Sequence, residues 1–179
     1  MPFGLKLFRP DPVKVRARAL YDAVLMEARR PDLYGEGGAP DTVDGRFDLL
    51  VLHAALVMRR LRGEGPAGQQ LSQALFDRLF DDMDAALREM GTGDMSVGKK
   101  IKAMAEAFYG RAAAYDAALK AGDRAALGDV LWRNLFDSQV EHETAARRLA
   151  DYVFEADREI GEMDAATLLN GEFPPLLAR

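Results

Sequence analysis

At 179 residues the chain is long enough to bury one hydrophobic core without metal or disulfide support. Its 49% hydrophobic and 30% charged residues place it outside the low-hydrophobicity, high-net-charge regime that keeps chains disordered. It contains no cysteine, which excludes a disulfide framework, a thiolate nucleophile and a cysteine-ligated metal or cluster, and its net charge of −5 argues against broad nucleic-acid binding.

The charge is uneven along the chain. Residues 1–30 carry seven basic side chains against Asp11, Asp22 and Glu27, a block of +4 that leaves −9 for the rest. The first ten residues mix Phe3, Leu5, Leu7 and Phe8 with Lys6 and Arg9. That combination suits a membrane surface or a protein partner, with Phe3, Lys6, Phe8 and Arg9 as the contacts. The bland alternative is that these residues close one end of a bundle. Lys6, Arg9 and two prolines interrupt any secretory apolar region, so a cytoplasmic location is expected, with peripheral contact at the inner face of the membrane left open.

Asp11 followed by Pro12 reads as an N-cap and first helical position, predicting a helix from there to about Arg30. Residues 31–40 hold Gly35, Gly37 and Gly38 without apolar period and read as a loop, a mobile arm. From Thr42, Val43, Phe47, Leu50, Ala54, Val57 and Leu61 recur at helical spacing on one face. Leu49, Val51, Leu52, Leu56 and Met58 add apolar residues on the other sides, which predicts a central helix covered by several neighbours.

A third helix is predicted from about Ala67 to Met90, on Leu71, Leu75, Leu79, Met83 and Leu87. The fourth follows Ser96, with a bend expected at Gly110. A fifth spans Arg124 to Phe136, and a sixth carries Ala145, Leu149, Tyr152, Ala156 and Ile160. No segment alternates with period two and no repeat is present, so the expected fold is all-α, a single-domain bundle of six or seven helices. The helical domain is placed at residues 11–170, after the N-terminal segment 1–10 and before a proline-interrupted tail, 171–179. The longest apolar run, Leu49 to Met58, is about half the ~20 residues needed to span a bilayer.

Candidate chemistry is sparse. Gly93 to Lys100 matches the phosphate-binding pattern GxxxxGK but places Lys100 where a Mg²⁺-binding hydroxyl belongs, and it follows a helix rather than a strand. It therefore reads as a helix–helix connection. Asp77, Asp81, Asp82 and Asp84 make an acidic stretch that reads as a solvated face. A di-iron bundle would need Glu three residues before each histidine, yet Leu50 and Gln139 precede His53 and His142 at that spacing. His53 sits in the apolar run as a hydrogen-bonded core residue, and His142 lies between two glutamates as a surface one. No triad, metal set or cofactor site is expected, so the chain reads as no enzyme and no catalytic residue is assigned.

Five stretches carry a family resemblance. They are Pro40-Asp41-Thr42-Val43-Asp44-Gly45-Arg46-Phe47, Leu49 to His53, Asp82-Met83-Asp84 with Leu87 to Gly91, Gly93 to Lys99, and Met104 to Arg111. In this order and spacing they resemble the ubiquinol-cytochrome c chaperone family, whose members assist assembly of the cytochrome bc1 complex. The resemblance implies a helical chaperone that binds newly made cytochrome b as its client. In mitochondria it also implies contact with ribosomes and with a small helical partner protein. Asp41, Asp44, Arg46, Asp82, Asp84, Arg88, Asp94, Lys99 and Arg111, the polar residues of these stretches, are candidates either for client or partner contact or for a buried salt-bridge network fixing helix register. The competing reading is a small helical ligand- or metal-binding bundle, or an enzyme, built on the Asp-rich helix and the Gly93–Lys100 loop.

Overall fold

The computed structural model describes residues 11–178, which form seven α-helices and no strand. The expected membrane or partner contact of Phe3, Lys6, Phe8 and Arg9 lies outside the described residues.

Helix α1 (Pro12–Ala28) starts where Pro12 predicts, and the Asp11 side chain accepts from the Val13 amide at 2.9 Å. Helix α2 (Val43–Leu61) is capped by the Thr42 hydroxyl, which accepts from the Gly45 amide at 3.1 Å. Residues 48–58 of α2 are buried without a break, because α2 packs against every other helix of the bundle. Besides α1 these are α3 (Gly65–Glu89), α4 (Asp94–Ala121), α5 (Arg124–Leu135), α6 (Glu143–Glu162) and the short α7 (Ala165–Leu169). Burying the middle of α2 on all sides is what its all-round apolar composition requires, since any exposed side would present Leu or Val to water.

His53 lies at the centre of this core, fully buried. Its Nδ1 faces the Leu49 carbonyl at 2.7 Å, and a carbonyl only accepts, so Nδ1 carries the proton. Nε2 then accepts from the Tyr152 hydroxyl of α6 at 2.6 Å. Burial lowers the imidazole pKa and keeps it neutral, so it ties α2 to α6 as a core histidine.

Several expectations are corrected. The 31–40 segment is anchored to the bundle: Leu33 and Ala39 are buried, and the Tyr34 hydroxyl donates to the Ala28 carbonyl at 2.6 Å. Its few apolar residues suffice to fasten it despite the glycines. Val43 shares the apolar face of α2 with Phe47 and Leu50 yet is 75% exposed, because no neighbouring helix covers the first turn. Helix α4 begins at Asp94, two residues before Ser96, and runs unbroken through Gly110. Beyond these corrections, the tail after α7 is docked: Phe173 and Leu176 are buried, and Arg30 donates to the Leu176 and Ala178 carbonyls at 3.1 and 2.9 Å.

Candidate functional site

The bundle is open at one end. There α1, the first turns of α2, the last turns of α3, the middle of α4 and the turn after α5 surround a groove of about 1020 Å³. Its apolar wall comes from Leu25, Phe47, Met83, Leu87, Met90 and Met104. Methionine dominates this wall on the α3–α4 side, a flexible and polarizable surface that adapts to differently shaped apolar partners. Met90 is 66% exposed and Val43, across the groove, 75%, so the opening presents two large apolar side chains to water.

The backbone builds the α2 side by close approach. A Cβ on Gly45 would lie 2.1 Å from the Pro40 carbonyl oxygen, so only glycine lets the anchored loop cross the first turn of α2. That crossing places Thr42, Val43 and Asp44 along the edge of the groove.

Two polar contacts are set into the wall. Arg111 of α4 donates to Asp48 of α2, whose carboxylate is buried. Burial pushes the Asp48 carboxyl up to about 6, Arg111 only partly offsetting it, with Asp44 and Asp137 adding to the rise. One turn beyond Arg111, the Tyr115 hydroxyl is buried, and burial raises its pKa to about 12, with Arg111 and Asn134 partly offsetting the rise. On the α1 side, the Tyr21 hydroxyl donates to Asp82 at 2.6 Å, Arg78 reaches the same carboxylate at 3.1 Å, and its guanidinium lies over the Tyr21 ring. Burial and the Asp82 bond both raise the Tyr21 pKa.

The nine polar residues drawn from the resembling stretches fall into separate places rather than one buried network. Asp44, Arg46, Asp82 and Arg111 line the groove. Asp41 pairs with Arg46 at 2.7 Å on the exposed rim. Asp84 and Asp94 both pair with Arg88, which joins the end of α3 to the start of α4 at the surface. Lys99 is exposed near the start of α4, in the Gly93–Lys100 segment, which serves as the α3–α4 connection and opening turns of α4. Within the Asp-rich stretch, Asp77 accepts from Gln73 and Asp82 from Tyr21 and Arg78. No group of three metal-ligating side chains converges among the described residues.

Sequence reasoning missed Asp48, Tyr21, Asp137 and His142 as groove residues. The signal for Asp48 was a single acid opening an otherwise apolar run, four residues after Asp44. His142 is half-buried rather than a free surface residue, because its ring stacks on Phe136 at 5.3 Å. Arg59 was missed too: it pairs with Asp116 and Asp157, each at 2.8 Å, fastening α2 to α4 and α6 away from the groove.

Comparison with known proteins adds a second line. The family model described as ubiquinol-cytochrome C chaperone matches residues 36–177. Ubiquinol-cytochrome-c reductase complex assembly factor 1 of Xenopus laevis is 24% identical over 157 residues, which cover 88% of this chain and 78% of that protein. The Mus musculus and Homo sapiens proteins of the same name are each 23% identical over 157 residues, and the chain spans about half their length, 53% and 52%. The crystal structure of the Cbp3 homolog from Brucella abortus is similar with a TM-score of 0.81 and 35% identity, covering 92% of this chain and 91% of that one.

Proposed function

The chain belongs to the ubiquinol-cytochrome c chaperone family, and from that premise we propose that it supports bc1 complex assembly by holding newly made cytochrome b in the groove, without a chemical step. One observation carries this reading. Residues 40–47, 82–91 and 104–111, three of the stretches that carry the family resemblance, lie on different helices and contribute side chains to the same groove. A methionine-rich apolar wall with charged groups at its edges suits an apolar helix laid into a groove.

The client is a membrane protein, and the chaperone acts where that client emerges, at the inner face of the membrane. No described helix is long and apolar enough to cross a membrane itself. Binding the client therefore means shielding its apolar surface before insertion or assembly. Asp77, Asp81 and the Gly93–Lys100 segment, on which a ligand-binding bundle or enzyme would rest, do not line the groove.

Gene deletion tests the proposal. Assembled bc1 complex falls while the cytochrome b transcript persists, and a gene carrying Met83→Glu and Met90→Glu fails to restore the complex although its product remains folded. Normal complex levels after deletion would overturn it.

A further inference from the structure

The α2–α5 edge of the groove carries more negative charge than its own contacts neutralise. Asp44, in the first turn of α2, and Asp137, in the turn after α5, are both exposed, and neither side chain forms a hydrogen bond or ion pair among the described residues. Asp44 lies one helical turn before Asp48, and both residues line the groove with Asp137 and Arg111. Three carboxylates thus line this part of the groove with one guanidinium, Arg111, which is already committed to Asp48.

Asp137 is also held in place. Its φ is 48° and that of Ser138 is 59°, the left-handed region, which Asp tolerates better than most residues. The Ser138 amide donates to the Trp132 carbonyl at 3.1 Å, and the Trp132 indole donates to the Gln139 carbonyl at 2.6 Å, locking the turn from both sides. Along the rest of the groove the charges differ. Arg46 is paired with Asp41 and Asp82 with Tyr21 and Arg78, while Arg29 adds a cation on the α1 side. The groove is therefore apolar along its α3–α4 wall and anionic at one edge only.

Resting on the reading that this groove holds the client, we propose that its occupant is an apolar helical segment bearing a basic side chain at one end, seated between Asp44 and Asp137. An apolar wall alone lets a greasy helix slide and turn over. A single cation placed against fixed carboxylates sets its register and direction, and a helix carrying Asp or Glu there is rejected. Apolar helices ending in Lys or Arg are the general form of membrane spans at their cytoplasmic side, so this chemistry selects that end of a client span.

The test uses the full chain and three fluorescent 20-residue helical peptides with one shared apolar face, carrying Lys, Gln or Glu at the same terminal position. The Lys peptide binds about tenfold tighter than the Gln peptide, and the Glu peptide binds weakest. The double variant Asp44→Asn, Asp137→Asn, which keeps shape and left-handed backbone tolerance, brings the Lys peptide to the Gln value and leaves the Gln peptide unchanged. Met90→Asp weakens all three. Equal binding of Lys and Gln peptides, or a Lys preference that survives the double variant, overturns the proposal. So does a tenfold gain in Gln-peptide affinity on removing residues 1–10, or self-association abolished by Met90→Asp, since the groove then belongs to the chain's own N-terminal segment or to a second copy. A Lys preference lost in the double variant upholds the proposal even where gene deletion spares the bc1 complex, a result that overturns only the functional reading.

Discussion

The middle of α2 and the second half of α3 both carry apolar residues at helical spacing, on all sides in α2 and as a single stripe among charged residues in α3, and the two stripes end in opposite situations. Residues 48–58 of α2 are all buried, whereas among residues 81–90 of α3 none is, although Met83, Leu87 and Met90 continue the spacing set by Leu71, Leu75 and Leu79. The cause is what lies opposite. Every other helix of the bundle leans on α2, while the ends of α1 and α2 and the middle of α4 stand apart from the last turns of α3 and leave the groove between them. An apolar stripe thus serves as core in one place and as a receiving surface in another, and what separates the two is the arrangement of neighbouring helices.

Mutations at the two regions sharpen the contrast. Leu52→Ala in the α2 core removes a fully buried side chain, and the stability measured by urea unfolding should drop by about 2–5 kcal/mol. Arg111→Met, at the border between core and groove, leaves the buried Asp48 carboxylate without its partner and should cost about 3 kcal/mol at pH 8. Asp48 already has its folded pKa raised from 3.8 to about 6. Its contribution is therefore most favourable below pH 4 and is lost as pH rises through 6, and removing Arg111 moves that window upward. The Arg111→Met deficit should accordingly shrink on acidification from pH 8 to pH 5, and a deficit independent of pH would contradict the assignment. Met90→Ala on the open wall should leave the unfolding free energy in urea unchanged within about 0.5 kcal/mol, since 66% of that residue is already in water. A core-sized loss there would mean that the groove is part of the hydrophobic core.

The same contrast marks how far sequence reasoning reaches. Helical period identifies α2 to α6 because it reports which side chains share a face, and the Asp11-Pro12 cap places the start of α1 to the residue. It does not report whether another helix covers that face, so Val43 and Met83 read alike with the buried leucines. His53 was legible as a core residue because a lone imidazole inside an apolar run must satisfy both ring nitrogens, which Leu49 and Tyr152 do. Its Tyr152 partner, 99 residues away, was not legible. Nor was the Asp48–Arg111 pair, which joins residues 63 apart through a helix crossing that no local pattern encodes. Resemblance supplied what periodicity lacked, by marking stretches on separate helices that the fold gathers at one opening.

The most direct test of the groove as the client site is photo-cross-linking in cells synthesising cytochrome b, with the photoreactive residue at Met90 on the groove or at Arg158 on the exposed side of α6. Cytochrome b is expected to cross-link from position 90 and not from position 158. Cross-linking from 158 alone, or equally from both, would contradict the account.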